Sequence, residues 1–372
     1  MPVLFQFRVT TPVADDRPVY VTGDFNDWQP ASEPFRMQPA GSDPAGQPQY
    51  VLDWPTAYPR PDTFDYKYTK GGWDQVELDA SGESVGNRTW RAGEPGEAGR
   101  GPADTVPHWR WYGQAYNPAQ MPKLVGEEFR LPQLDTTRRI SVLLPYDYDA
   151  HPEPGAAPKR YPVLYLNDGQ NLFGEGAGFG SWAVDEKMAI LAARRHHEVI
   201  LVTIDHGESE RIREFTVERT RAGRGKGREY LKFIKETLKP VIDQNLRTLA
   251  DPACTGIGGS SLGGLISIYG GLLFPGVFGR LMVFSPSLWI SPKIYFDAIR
   301  FKAPVPMKVY IYGGEAESRY MVPNIERFNE SLLRQNYGGQ PVELNLSVRP
   351  EGTHSEAHWS REFPHAVEWL FY

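Results

Sequence analysis

At 372 residues the chain exceeds one average domain, and 40% hydrophobic with 23% charged residues excludes a disordered polymer. A formal net charge of −6 supplies no overall positive field to displace counterions from phosphates, so nucleic acid is not an expected partner. The single cysteine, Cys254, excludes an intramolecular disulfide and suits a reducing compartment.

The opening MPVLFQFRVTTP alternates apolar and polar residues and lacks a charged region followed by an apolar one, so it reads as a β-strand rather than a signal peptide. No stretch approaches the roughly 18 apolar residues that span a bilayer. A soluble, cytoplasmic protein without a membrane partner is expected, or a secreted or periplasmic one if a leader has been removed.

Residues 1–92 predict an all-β sandwich, with short alternating runs at 4–9, 18–22, 50–52, 63–69 and 75–78 separated by Gly, Asp, Asn and Pro clusters. The stretch RAGEPGEAGRGPADTVP, dense in Gly, Pro and charge, predicts a linker over 93–119. From 120 to 372 the pattern changes. Apolar runs at 139–145, 162–167, 199–205, 254–258, 281–284 and 307–312 alternate with helical periods at 183–195, 227–246, 262–273, 320–336 and 356–371. That alternation predicts an α/β domain with a mostly parallel sheet covered on both faces. The charged segment 207–228 (GESERIREFTVERTRAGRGKGR) follows a strand end and is either a solvated insertion or a loop facing the substrate.

The run 254–258 leads into Gly259-Ser260-Ser261-Leu262-Gly263, a G-x-S-x-G pattern followed by an apolar helix. Small residues on both sides allow a strained strand-to-helix turn that exposes a serine at the helix N-terminus. Ser261 is therefore the candidate nucleophile; Ser260 lacks the matching glycine. In this chain order an acid and then a histidine should follow. His354, in Gly352-Thr353-His354 after a strand-like run, is the candidate base, whereas His358 and His365 fall within the last helical period. His354 and His358 are spaced i, i+4, but no HExxH pattern accompanies them, so neither a metal nor an organic cofactor is expected. Glu315 and Glu317, just beyond the run 307–312, are nearly tied by position as the acid. The oxyanion donors expected are the Leu262 N–H and that of Gly169 or Gln170, in the turn Asp168-Gly169-Gln170-Asn171. Trp289 is a candidate for the acyl pocket or for the core. Arg213, with Arg211, Arg219 and Arg221, is a candidate contact for an anionic substrate.

YPVLYLNDGQNLF, GGSSLGGLISIYGGLLFPGVFG, FSPSLW, VYIYGGEAES and GTHSEAHW, taken together, resemble the esterase family that contains enterochelin esterases, feruloyl esterases and esterase D, over about residues 120–372. The resemblance implies an α/β-hydrolase fold and ester hydrolysis through Ser261 and His354. The acid of that family commonly stands three residues after a glycine, which from Gly314 selects Glu317. VYVTGDFNDWQP, FDYKYTKGGWDQVE and GNRTW look like starch- and glycogen-binding β-sandwich modules, implying Trp28, Lys67, Trp73 and Asn87 as a sugar site and an α-glucan as a ligand. The expected substrate is an acylated carbohydrate or a phenolic (feruloyl or acetyl) ester. The alternatives are a siderophore ester, acyl transfer to a sugar, or glycan binding without catalysis.

Overall fold

A computed structural model describes residues 5–12, 17–44, 46–80, 84–92, 101–110, 123–149, 157–173, 180–195, 198–334 and 341–372. The chain divides into two compact units, Met1–Gly113 and Gln114–Tyr372.

The first unit is all-β. Its strands are β1 (Gln6–Thr10), β2 (Tyr20–Gly23), β3 (Gln38–Ser42), β4 (Pro48–Asp53), β5 (Thr63–Thr69), β6 (Glu77–Leu78), β7 (Arg88–Arg91), β8 (Ala103–Thr105) and β9 (His108–Trp109). They form one sheet in the order β3-β4-β1-β8, a second in the order β2-β5-β7, and the short pair β6-β9. Phe7 and Val9 of β1 share one apolar core with Val21 of β2, with Phe64, Tyr66 and Tyr68 of β5, and with Trp90 of β7, so alternate residues of both sheets face inward.

The expected linker over 93–119 needs correction. Its residues 103–105 and 108–109 are strands of this unit, β8 pairing in parallel with β1 and β9 pairing antiparallel with β6; 93–100 and 111–119 lie outside the described residues. Strands of three and two residues beside Pro102 and Pro107 carry no readable period, and only long-range pairing defines them. Asp104 of β8 is the hub of a polar network. It accepts hydrogen bonds from the hydroxyls of Tyr66 and Tyr68, each at 2.8 Å, and pairs with Arg88 at 2.9 Å. Arg88 also holds the buried Glu77 at 2.6 Å.

In the second unit the elements follow in the order β10 (Lys123–Leu131), β11 (Thr136–Leu143), β12 (Val163–Asn167), α1 (Val184–Arg195), β13 (Ile200–Ile204), α2 (Arg211–Glu214), α3 (Gly227–Phe233), α4 (Lys239–Asn245), β14 (Thr255–Ser260), α5 (Leu262–Leu273), β15 (Arg280–Phe284), α6 (Ile294–Arg300), β16 (Met307–Gly314), α7 (Met321–Leu333), β17 (Val342–Arg349) and α8 (Glu356–Phe371). A wide π turn, Ile234–Leu238, joins α3 to α4. The strands form one sheet in the order β10-β11-β13-β12-β14-β15-β16-β17. β10, β11 and β13 pair antiparallel, and from β13 to β17 every pairing is parallel.

Period-2 alternation divides the buried side chains between two layers. Val163 and Tyr165 of β12 and Leu281 and Val283 of β15 pack with α3 to α7, whereas Leu164, Leu166, Met282 and Phe284 pack with α1 and α8. This is the α/β-hydrolase arrangement. The strand β10 and the helix α6, without clear patterns in the sequence, complete it.

Two substitutions test these assignments. Asp104→Ala leaves Arg88, Tyr66 and Tyr68 short of an acceptor and should cost about 1–3 kcal/mol, read as a lower urea midpoint for the first unit's transition; an unchanged midpoint would return β8 to the status of a linker. Tyr230→Phe removes a buried hydroxyl that donates to Asn167 Oδ1 at 2.7 Å. The orphaned acceptor should lower the stability of the second unit by about 1–3 kcal/mol, measured by the same unfolding curve.

Candidate active site

The parallel strands all deliver their C-terminal ends to one edge of the sheet, and the sequence-predicted residues gather there. β14 ends at Ser260, and Ser261 turns the chain into α5 with φ 56° and ψ −118°. This is a left-handed conformation that a serine adopts only when its surroundings enforce it. They do so through three hydrogen bonds: the Ser261 N–H donates to Phe284 O at 2.9 Å, and its carbonyl accepts from the N–H groups of Leu265 (3.1 Å) and Ser287 (3.0 Å). Leu262 is the first residue of α5, so its N–H has no acceptor within the helix and stays available next to the serine.

The start of α5 lies against the end of β12. A Cβ on Gly263 would meet Asp168 Oδ2 at 2.8 Å and Asn167 Cβ at 3.3 Å, which is why the second glycine of the motif is required here. Asn167 ties the approach together. Its Nδ2 donates to the carbonyls of Gly258 (2.9 Å) and Gly263 (3.2 Å) and to Ser267 Oγ (3.1 Å). Gly169 and Gln170 open the short 3-10 turn Gly169–Asn171, so their N–H groups lack intrahelical acceptors too. The Gln170 side chain is engaged with the backbone of His206.

The two candidate glutamates differ in their surroundings. Glu317 Oε2 lies 2.6 Å from His354 Nδ1, while Glu315 is exposed. The Glu317 side chain is 1% exposed and that of His354 is 37% exposed, so the acid is enclosed and the imidazole reaches solvent. β16 and the His354 loop are in close contact: a Cβ on Gly314 would come within 2.1 Å of Gly352 O. His358, the i+4 neighbour, directs Nδ1 to Thr353 and Ser355 instead.

The Ser261 hydroxyl makes its hydrogen bond to Ser287 Oγ at 3.1 Å, and no hydrogen bond joins it to His354 among the described residues. Bonds of that kind commonly tighten only around a substrate. Ser287 was not singled out in the sequence, although it lies in the quoted FSPSLW, two residues before Trp289. Trp289 itself is 53% exposed, outside the core, in a 3-10 turn that begins one residue after Ser287.

Arg213 is placed differently from the expectation of a substrate contact. Its guanidinium pairs with Glu210 at 2.9 Å within its own segment. Arg211 reaches the sheet edge instead and clamps Asp168 through two hydrogen bonds, at 2.6 and 2.8 Å. The segment is therefore pinned rather than free: Glu214 is buried against Arg138, and Phe215 and Thr216 are buried. Burial pushes the carboxyls of Glu356 and Asp205 above the ordinary carboxylate range.

In the first unit Trp28 and Trp73 stand together, ring centroids 6.4 Å apart and tilted by 40°. Trp73 is 45% exposed. Lys67 donates to the carbonyls of Val85 and Gly86, and burial lowers its pKa. Asn87, one residue further on, is exposed.

Several known proteins are similar to this chain. YbbA of Bacillus subtilis, an uncharacterized protein, is 25% identical over 248 residues, 63% of this chain and 92% of its own. The ferri-bacillibactin esterase BesA of the same organism is 27% identical over 221 residues, 52% of this chain and 71% of its own. The crystal structure of the enterobactin esterase FES from Shigella flexneri superposes with a TM-score of 0.53 at 14% identity, covering 95% of this chain and 88% of that one, a likeness of fold. The Esterase family model ("Putative esterase") matches residues 132–370. With Ser261 at its strained turn inside the matched span, and 239 of 372 residues covered (132 to 370 inclusive), the chain belongs to this esterase family and is a carboxylic-ester hydrolase.

Proposed function

We propose that the chain hydrolyses an acylated carbohydrate or a phenolic (feruloyl or acetyl) ester through an acyl-enzyme formed on Ser261. The observation that carries this reading is the hydrogen bond of 2.6 Å between the enclosed Glu317 carboxylate and His354 Nδ1, on the same sheet edge as Ser261. With Nδ1 committed to the carboxylate, Nε2 is the nitrogen left to take the serine proton. Ser261 Oγ then attacks the ester carbonyl. The oxygen that gains charge is held by the N–H of Leu262 and that of Gly169 or Gln170. His354 returns the proton to the leaving alcohol, activates a water molecule, and the acyl group departs as a free acid.

For the acyl side, Trp289 supports an aromatic group, because a half-exposed indole close in sequence to Ser287 offers a face for stacking. For the alcohol side we place a carbohydrate first, as in feruloyl or acetyl sugar esters. A siderophore ester, the substrate class in the names of BesA and FES, comes second. The Trp28–Trp73 pair favours one further role, α-glucan binding by the first unit, since two neighbouring indoles can cover the apolar faces of adjacent sugar rings.

Assays on p-nitrophenyl acetate, a feruloyl sugar ester and a catecholate siderophore ester test the reading. Ser261→Ala should lower kcat by about 10⁴- to 10⁶-fold and Glu317→Gln by about 10²- to 10⁴-fold, with Glu315→Gln within about twofold of wild type. A wild-type rate in Ser261→Ala on all three esters would sink the proposal, and the ester cleaved with the highest kcat/KM names the class. Electrophoresis through soluble starch examines the first unit. Wild type should be retarded and Trp73→Ala should migrate freely; unretarded wild type would remove the α-glucan role.

A further inference from the structure

Glu317 can serve His354 only if the correct oxygen faces the imidazole, and its carboxylate is free in principle to rotate about its last torsion. The structure closes that freedom from the other side. Oε1 accepts two hydrogen bonds, from the Gly314 N–H at 2.8 Å and from the Ser285 hydroxyl at 2.6 Å, which leaves Oε2 for His354 Nδ1. Ser285 is fully buried just beyond β15, with its N–H donating to Tyr312 O at 2.8 Å and its backbone at φ 43°, an uncommon conformation for any residue but glycine.

The direction of the serine proton is also fixed. The Trp359 indole N–H lies 2.9 Å from Ser285 Oγ and can only donate. Ser285 Oγ is thus the acceptor for Trp359, and its own hydrogen must point at Glu317. The same indole packs edge-on against the His354 ring, with centroids 4.9 Å apart and planes at 84°. One tryptophan of α8 therefore touches both the imidazole and the group that orients the acid.

We propose that Ser285 and Trp359 are positioning residues of the ester hydrolase, a relay from indole to hydroxyl to carboxylate that holds Glu317 in register with His354. This rests on the assignment of Glu317 as the acid. Neither residue touches the reacting atoms, so their effect must travel through Glu317. A hydrogen bond to a charged group that is lost on one side lets the carboxylate turn, and the base loses its alignment in the transition state rather than its affinity for substrate.

The test is a double-mutant cycle on the full chain with p-nitrophenyl acetate. Ser285→Gly, which relieves the left-handed backbone, and Ser285→Ala, which does not, should both lower kcat about 10- to 100-fold with KM within about twofold. Trp359→Phe keeps an aromatic ring, though a smaller one, but loses the N–H and should lower kcat about 2- to 10-fold. In a Glu317→Gln background the Ser285→Gly change should alter kcat by less than about twofold, because nothing remains to position. A wild-type kcat in Ser285→Gly beside a crippled Glu317→Gln overturns the relay alone. The same loss from Ser285→Gly in both backgrounds also overturns it and makes Ser285 a packing residue. A wild-type kcat in Glu317→Gln overturns the relay and the acid assignment together.

Discussion

Helix α5 can start at Ser261 only because it lies against the end of β12 with no side chain in between. A hydrogen is all that fits at position 263, facing Asp168 and Asn167. The approach is clamped by Asn167, whose amide reaches the carbonyls of Gly258 and Gly263 while its oxygen accepts from the buried Tyr230 hydroxyl. It is clamped a second time by Arg211 on Asp168. Relaxing this contact would let the serine leave its left-handed conformation and would separate the Leu262 N–H from the turn that holds Gly169 and Gln170. The strain at one residue is thus maintained by a polar network on two neighbouring strands and three helices.

A parallel sheet explains why the remaining groups arrive at the same place. Strands β14, β15 and β16 run side by side, and the residues just beyond them are Ser261, Ser285 to Ser287, and Glu315 to Glu317. The loop after β17 adds His354, and the first turns of α8 add Glu356 and Trp359. Each strand contributes one or two groups, and the register of the sheet sets their spacing. Within that frame the hydrogen-bond inventory decides the roles. An indole can only donate, a carboxylate can only accept, and a serine does both, so donation runs from Trp359 to Ser285 to Glu317 on one side and from His354 Nδ1 to Glu317 on the other.

How much of this was legible beforehand depended on the range of the interaction involved. Five consecutive residues between a strand and a helix offered Ser261 as a candidate, and a short loop before the last helix offered His354, because these signals are local. Position alone left Glu315 and Glu317 nearly tied and the family resemblance favoured Glu317; the structure adds that Glu317 is the one enclosed against Ser285 and Gly314. Arg213 was a candidate together with Arg211, Arg219 and Arg221; it pairs with Glu210, while Arg211 reaches Asp168. The β8 strand was read as linker because three residues next to prolines have no pattern of their own.

The sequence by itself determined the α/β alternation, the all-β first unit and the strand-to-helix turn at Ser261, and it offered His354 as a candidate, since each is written in the order and spacing of neighbouring residues. Only the tertiary structure decided which of the two glutamates is enclosed against His354, the partners that fix its rotation, the clamp of Arg211 on Asp168 and the membership of β8 in the first unit. Those depend on groups tens of residues apart being buried together, where an unpaired charge or donor is expensive, and burial is a property that no short stretch of sequence carries.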